Sequence, residues 1–359
     1  MRKRLVPVVP LGGLALVGAA AWVRRVVVPA RPGDVPTARP RRIPEADARP
    51  SPDGAGVRLV VNPDSGPMWR ENPVADLRQA LPAAEIHELG PDDDLVAVLA
   101  AGLDDDDHVV AIGAAGGDGT LSAAASVALA HERVLVAVPS GTFNHLARDL
   151  GLDAPEDAVA AVRAGTAVRM DLGVVEEGAE RRTFVNTLSF GGYTAVVDAR
   201  ERLQPRIGKF LALVVALARE LPGMEPLELD VAGRREHVWL GWIGNGSYAP
   251  EGFAPSWRER LDDGLLDVRL VLGDRRWARA RLVADVLAGR LQQCPVYREE
   301  RVRSVSITTY DGPLRLAVDG ETFDGSANFT VTKLPRALSV AVPPSLEPEP
   351  DVPTTTSPA

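Results

Sequence analysis

Three short glycine-rich segments carry the residue types that proteins use to bind phosphate. They run from Asn62 to Gly66, from Gly116 to Thr120 and from Ser140 to Asn144. Glycine lets the backbone approach a phosphate closely, and the free N–H groups at the start of a helix attract negative charge. Any one such segment is more often a tight connection than a binding site. The three together predict a nucleotide site if the fold brings them to one edge.

Two further segments place carboxylates beside a glycine. One runs from Asp262 to Asp267 and the other is Val318-Asp319-Gly320-Glu321. Carboxylate and carbonyl oxygens are the ligands that Mg²⁺ prefers, and a carboxylate can accept the proton of an attacking hydroxyl. From the local sequence alone, both segments are ordinary Asp-Gly hairpin turns. Their chemistry therefore depends on where the fold places them.

The elements that must position these segments alternate between strand and helix in the first half of the chain. Short apolar, β-branched runs at Val57 to Asn62, His108 to Gly113 and Val134 to Val138 predict strands, with helical patterns between them. This alternation predicts a parallel sheet covered by helices, with ligands bound beyond the carboxyl ends of the strands. All three glycine-rich segments fall at those ends.

After Gly165 the pattern changes to many short strands with turn signals between them. Strand-like runs lie between Val168 and Val342, among them Leu227 to Val231, Leu266 to Leu272, Asn328 to Val331 and Ala337 to Val342. One helix is expected from Ile207 to Leu221. Such a pattern predicts a β-sandwich. The predicted fold class is therefore α/β with two domains: an N-terminal three-layer α/β nucleotide-binding domain at 57–165 and a C-terminal β-sandwich domain at 166–342.

The three glycine-rich segments, in this order, resemble the diacylglycerol kinase catalytic-domain family, which includes bacterial diacylglycerol- and sphingosine-type lipid kinases. The Gly116 segment is also shared with NAD kinases and 6-phosphofructokinases. The third segment, extended from Pro139 to Gly151, is more specific to the lipid kinases. The resemblance covers roughly Val57 to Pro343. The chain departs from the family after Gly66, where Pro67-Met68-Trp69-Arg70 replaces the usual Lys or Gly, so the lipid headgroup stays open.

The resemblance implies ATP and Mg²⁺ as cofactors and assigns roles to particular residues. Those implied to bind ATP are Asn62, Ser65, Gly66, Gly116, Gly117, Asp118, Gly119, Thr120, Ser140, Gly141, Thr142, Asn144 and Arg148. Arg148 also has a simpler interpretation as a surface ion pair. Asp118 would position the nucleotide or its magnesium ion, and Asp263 with the Leu265 carbonyl would hold a structural metal. Asp319 would be the catalytic base, and Glu321 would orient it or bind a second metal.

The N-terminal segment from Leu5 to Val23 contains no charged residue. Nineteen helical residues span about 28 Å, close to the hydrocarbon thickness of a bilayer. Basic residues flank both ends, which predicts a single-pass anchor within residues 1–28 and a cytoplasmic catalytic body. A cleaved signal peptide is the alternative. Residues 29–56 are expected to form a disordered linker, and residues 343–359 a disordered tail.

Composition limits the function classes. The chain has 359 residues and a formal net charge of −9, which argues against a nucleic-acid partner. Its one cysteine, Cys294, excludes an internal disulfide and a cysteine-based metal cage. The family resemblance adds a membrane lipid substrate, the inner membrane surface and a homodimer as expected partners.

The sequence therefore predicts a lipid kinase that transfers the γ-phosphate of ATP to a lipid hydroxyl, with diacylglycerol as the default acceptor and phosphatidic acid as the product. Sphingoid bases, polyprenols and glycolipids are alternative acceptors. NAD kinase is a rival enzyme, but it does not account for the third segment. A catalytically inactive, membrane-tethered nucleotide sensor is a rival of another class.

Overall fold

The computed structural model describes residues 48–63, 73–104, 107–141, 144–207, 209–249, 257–258, 260–273 and 277–344. The predicted anchor, most of the linker and all but the first two residues of the predicted tail lie outside these ranges. So do Ser65, Gly66 and Thr142 among the predicted site residues.

The first domain alternates strands and helices as predicted. Its elements are β1 (Val57–Val61), α1 (Val74–Ala80), β2 (Glu85–Glu88), α2 (Leu95–Ala100), β3 (Ala111–Gly116), α3 (Asp118–Ala130), β4 (Val134–Pro139), α4 (His145–Asp149) and α5 (Pro155–Ala164). Strands β2, β1, β3 and β4 lie side by side in that order, and all of them are parallel. Their carboxyl ends therefore meet at one edge.

Helices cover both faces of this sheet. On one face, α1 and α5 pack against alternate strand residues such as Leu59 and Val136. On the other face, α2, α3 and α4 pack against residues such as Ile112 and Leu135. Apolar side chains on both sides of a strand are typical of a buried parallel sheet. The predicted three-layer α/β architecture is confirmed.

The second domain consists mainly of antiparallel strands. Its elements are β5 (Ala167–Glu177), β6 (Glu180–Phe184), β7 (Thr187–Gly191), α6 (Tyr193–Ile207), α7 (Lys209–Glu220), β8 (Leu227–Val231), β9 (Arg234–Asn245), β10 (Tyr248–Ala249), β11 (Trp257–Arg258), β12 (Leu266–Leu272), α8 (Ala278–Leu287), β13 (Tyr297–Val302), β14 (Ser304–Thr309), β15 (Arg315–Val318), β16 (Glu321–Asp324) and β17 (Asn328–Ala341). A shared apolar core lies between the strands, and helices α6 to α8 cover a second apolar cluster beside it. The predicted sandwich-like second domain is confirmed. The helix expected from Ile207 to Leu221 corresponds to α7, and α6 is an additional helix before it.

Strand β17 joins the two domains. Its first part pairs with β14 and β5 in the second domain, and its last part pairs with β4 of the first domain through Val340 and Leu135. A register shift between Leu334 and Leu338 allows the strand to change direction. The two domains therefore share one continuous sheet, which fixes the position of the cleft between them.

The predicted single-pass membrane localisation is corrected by the structure. Within the described ranges no helix is both long and apolar enough to cross a bilayer. The longest, α6, has 15 residues and so measures about 22 Å, short of the ~30 Å of hydrocarbon. The segment from Leu5 to Val23, which led to the prediction, lies outside the described residues.

Candidate active site

The three glycine-rich segments meet at the carboxyl edge of the first sheet. Asn62 follows β1, Gly116 ends β3, and Ser140 follows β4. The Asn62 backbone N–H donates to the Ala115 carbonyl, and its side-chain Nδ2 lies 3.4 Å from Thr120 Oγ1. The fold thus brings residues of the first and second segments into contact, as the sequence predicted.

Close packing explains two of the glycines. A Cβ at Gly141 would lie 2.4 Å from the Gly117 Cα, and a Cβ at Gly116 would lie 2.5 Å from Thr120 Cβ. Both distances are too short for any side chain. The second and third segments therefore touch through their backbones, and this contact requires glycine.

Asn144 shapes the third segment. It adopts a left-handed conformation with φ of 49°, its Nδ2 donates to the Gly141 carbonyl at 2.9 Å, and its Oδ1 accepts from Gly141 N–H at 2.9 Å. Both ends of this amide are thus used inside the loop. Arg148, one turn further on, is exposed and lies 3.1 Å from His145 Nδ1. Burial lowers the pKa of His145, which favours a neutral ring.

Helix α3 begins at the second segment, with Gly117 as its N-cap. Its 13 residues direct free N–H groups and the positive end of the helix dipole toward the edge where the loops meet. Asp118, the first helical residue, accepts at Oδ1 from Leu146 N–H and from Asn186 Nδ2, both at 3.3 Å. Asp118 therefore connects the second segment to α4 and to the second domain.

The Asp319 carboxylate is the acceptor for four hydrogen bonds. Oδ2 accepts from Ser122 Oγ at 2.5 Å and from Val185 N–H at 2.8 Å. Oδ1 accepts from the N–H groups of Asn186 at 2.9 Å and Thr187 at 2.8 Å. Burial raises the pKa of Asp319, while these bonds favour the ionised form. A carboxylate has about four lone-pair positions, so those of Asp319 are occupied.

Glu321 lies two residues further on and is exposed. Val318 pairs with Glu321 across a two-residue hairpin in which Asp319 and Gly320 have φ of 47° and 98°. Positive φ at both positions is the type I′ pattern, which favours Asp-Gly. The predicted hairpin turn is confirmed. Glu321 Oε1 lies 3.9 Å from the position that a Cβ would take at Gly119, so its carboxylate faces the second glycine-rich segment.

A cavity of about 520 Å³ opens between the domains beside these carboxylates. Gly119, Asp319 and Glu321 line one part of it. Small residues along α3 provide the space for this cavity, and apolar side chains line most of its remaining wall. These residues are Ser122, Ala123, Ser126, Ala130, Val96, Leu129, Val174, Val318, Phe323 and Leu334. Arg181, Arg182 and Thr183 complete the lining.

Arg258 is a buried residue that sequence analysis missed. Its side chain is 0% exposed and its Nε lies 2.6 Å from Asp149 Oδ2. The guanidinium also donates to the carbonyls of Val185 and Asn245 and to Asn186 Oδ1. It therefore joins the end of α4 to the same turn that binds Asp319. Asp149 belongs to the motif from Pro139 to Gly151, but nothing in the local sequence indicated its partner.

Asp263, predicted as a metal ligand, belongs to a separate group. Its Oδ1 accepts from Leu265 N–H at 2.9 Å and its Oδ2 from Ser247 N–H at 2.8 Å. The ammonium of Lys333 lies 3.7 Å from Asp263 Oδ1. Burial lowers the pKa of Lys333 to about 8, and the charges of Asp263 and Asp171 oppose that shift.

A divalent cation does not fit this group, because a positive charge already occupies it. Among the described residues, no cluster of three or more His, Cys, Asp or Glu side chains could hold a metal ion. Asp118, predicted as a further metal ligand, is bound to Leu146 and Asn186 instead of joining Asp263.

Two family matches cover most of the described chain. Residues 56–175 match the family described as "Diacylglycerol kinase catalytic domain". Residues 186–342 match the one described as "YegS C-terminal NAD kinase beta sandwich-like domain". The second match begins in the turn whose N–H groups bind Asp319. A diacylglycerol kinase catalytic domain followed by this sandwich defines a class of two-domain kinases.

Relatives and solved structures agree with this class. The chain is 30% identical over 243 residues to a Xanthomonas oryzae pv. oryzae protein named "Probable lipid kinase YegS-like", covering 63% of this chain and 77% of that protein. It is 26% identical over 241 residues to "Probable lipid kinase YegS" of Escherichia coli K12, covering 64% and 76%. A solved structure described as a diacylglycerol kinase from Bacillus anthracis superposes with a TM-score of 0.56 at 19% identity, covering 81% of this chain and 98% of that one.

This chain therefore belongs to the diacylglycerol kinase catalytic-domain family, among its YegS-like lipid kinases. The resemblance stated from the three glycine-rich segments is confirmed. Membership of a kinase family implies the use of ATP and, typically, of a divalent cation. The acceptor lipid and the residue roles are a separate question.

Proposed function

We propose that this protein transfers the γ-phosphate of ATP to the hydroxyl of a membrane lipid, with diacylglycerol as the leading acceptor and phosphatidic acid as its product. The observation that carries the proposal is the interdomain cavity, which combines part of the second glycine-rich segment, an exposed carboxylate and apolar walls. Its volume of about 520 Å³ lies within the ~300–1,000 Å³ of ordinary ligand pockets. A hydroxyl-bearing lipid matches that combination of polar end and apolar wall.

The nucleotide is expected at the edge where the glycine-rich segments meet. The N–H groups at the start of α3 and the backbone at Gly117 and Gly141 would hold its phosphates. The oxygens of Asp118 are of the type that Mg²⁺ prefers, and the ion would offset the phosphate charge when bound. Ser65, Gly66 and Thr142 remain part of this proposal although they lie outside the described residues.

The base is better assigned to Glu321 than to Asp319. The sequence hypothesis gave this role to Asp319, but the four lone-pair positions of that carboxylate accept hydrogen bonds. Glu321 is exposed to the cavity and faces Gly119. In the proposed step, the lipid oxygen bonds to the γ-phosphorus, the bond from that phosphorus to the β–γ bridging oxygen breaks, and Glu321 accepts the hydroxyl proton. Asp319 positions the hairpin.

The test is transfer from labelled ATP-Mg²⁺ into detergent micelles that contain diacylglycerol, sphingosine, a polyprenol or a glycolipid. We expect label in diacylglycerol from the wild type and almost none from Glu321→Gln. Asp324→Asn is the matched control, because Asp324 lies on the same short strand, is exposed and forms a surface ion pair with Arg315. Its rate should equal that of the wild type.

Other outcomes are equally informative. Label in another lipid would identify a different acceptor for the same site. A folded protein that binds ATP but labels no lipid would contradict the kinase proposal and favour the nucleotide sensor. Equal rates in the wild type and Glu321→Gln would remove Glu321 from the role of base.

A further inference from the structure

Lys333 is a buried lysine that the proposed transfer reaction does not use. It lies on β17, and its side chain is 1% exposed. Its Nζ donates to Asn245 Oδ1 at 2.6 Å and lies 3.6 Å from Asp171 Oδ2 and 3.7 Å from Asp263 Oδ1. Three acceptors from three different parts of the second domain thus surround one ammonium.

The carboxylates around this ammonium are also bound to the backbone. Asp171 accepts from Gly264 N–H at 2.8 Å and from Arg336 N–H at 2.6 Å. Asp263 accepts from Leu265 and Ser247 N–H groups. The cluster therefore holds together the Asp263-Gly264 turn, the end of β9 and the bend in β17. One fully buried carboxylate, Asp171, and one half-buried carboxylate, Asp263, meet at this junction and need a positive counter-charge.

We propose that the Lys333 ammonium is the cation of this cluster and takes the place of the structural metal that the resemblance implied at Asp263 and Leu265. A divalent ion bound to Asp263 would lie within a few ångströms of the ammonium, and like charges at that separation repel strongly where water is excluded. The chain therefore carries its own counter-ion at this turn.

The first test measures thermal unfolding of the nucleotide-free wild type in EDTA, in 1 mM MgCl₂ and in 1 mM CaCl₂. We expect Tm to be the same in all three within about 1 °C. A structural site filled at 100 times its Kd would instead raise Tm by about 5–10 °C. Such a rise in the wild type, lost in Asp263→Asn, would overturn the proposal. This measurement needs neither substrate nor activity, so it is independent of the proposed kinase function.

The second test is a double-mutant cycle between Lys333→Met and Asp263→Asn. Alone, each variant is expected to lower Tm by several degrees, because each removes one partner of a buried charge pair. Together they should be more stable than Lys333→Met alone, because the second change relieves the repulsion between Asp263 and Asp171. Asp324→Asn added to Lys333→Met is the control and should leave its Tm unchanged.

Additive losses in this cycle would overturn the proposal, since they would mean that the ammonium and the Asp263 carboxylate do not act as a pair. If Lys333→Met does not fold, Lys333→Gln retains a hydrogen-bond donor for Asn245 and serves in its place. The cation dependence of the wild type remains decisive in either case.

Discussion

The two Asp-Gly turns of the second domain have almost the same local chemistry but different surroundings. Gly264 and Gly320 both have positive φ, at 72° and 98°. Asp263 and Asp319 both accept backbone N–H groups with both of their oxygens. The turn at Asp319 lies at the interdomain cavity and presents the exposed Glu321. The turn at Asp263 packs against a buried ammonium.

This difference teaches that the charge around a turn, more than its sequence, decides what the turn can do. At the cavity, the half-buried Asp319 fixes the backbone and leaves a neighbouring carboxylate available for substrate. At the second turn, the lysine neutralises the aspartate within the protein. The cavity is therefore suited to bind charged ligands, whereas the counter-charge at the Asp263 turn is supplied by the protein itself.

The largest expected effect is that of Glu321→Gln on the transfer rate. Loss of a general base lowers the rate by about 10²–10⁴-fold. The free energy of unfolding should change by less than about 0.5 kcal/mol, because the side chain is exposed. Initial rates at saturating ATP together with a denaturant titration would check both. A large loss of stability would mean that Glu321 supports the fold as Asp319 does, and would contradict the different roles proposed for the two carboxylates.

Asp319→Asn is expected to lower both stability and rate. The introduced NH₂ group would face backbone N–H donors, which costs about 2–3 kcal/mol of unfolding free energy. The rate should fall because the turn from Val185 to Thr187 and the hairpin that carries Glu321 lose their common anchor. Thermal unfolding and the pH dependence of kcat would be measured. An unchanged Tm with an abolished rate would return the role of base to Asp319.

Asp263→Asn should affect stability alone. Asparagine retains one oxygen but removes a negative charge beside Lys333, at a cost of about 1–3 kcal/mol. The rate at 25 °C should remain that of the wild type, because Asp263 is bound to Ser247 and Leu265 and not to the cavity. A rate loss comparable to that of Glu321→Gln would show that the two turns share a catalytic role.

The smallest effects are expected from alanine at the two turn glycines. Left-handed φ costs a non-glycine residue about 1–2 kcal/mol, and a Cβ at either position meets open space. Gly320→Ala and Gly264→Ala should therefore lose similar amounts of stability in a denaturant titration. Only Gly320→Ala should also lower the transfer rate, because its strain falls next to Glu321. Equal transfer rates for the two variants would contradict the proposal that the Gly320 turn, and not the Gly264 turn, positions a catalytic residue.

Much of the fold followed from local pattern. The predicted strands Leu227 to Val231 and Leu266 to Leu272 coincide with β8 and β12, because both combine β-branched or apolar residues with clear turn signals. The glycine-rich segments were recognised because phosphate binding and close backbone packing demand the same residue. Helix α6 was missed because its sequence is rich in charged residues and contains Pro205, which weakens any helical pattern.

Local sequence patterns do not predict contacts between residues that are far apart in the chain. Two predicted runs, Asn328 to Val331 and Ala337 to Val342, are parts of the single strand β17. The partners of Arg258 and Lys333 come from segments up to 109 and 162 residues away in the chain. Lys333 is one of only three lysines in the chain and lies in an otherwise apolar and threonine-rich strand. Nothing in the neighbouring residues indicates which carboxylates it would meet.

The sequence by itself determined the family, the two-domain architecture and the three glycine-rich segments that meet at one edge of the sheet, because these depend on residue types at short spacing. The tertiary structure alone decided which carboxylate faces the cavity, which one is held by four donors, and which one is paired with an ammonium. The reason is physical: hydrogen-bond occupancy and burial are set by groups that meet only after the chain has folded. Asp263, Asp319 and Glu321 look alike in the sequence, and folding alone separates them.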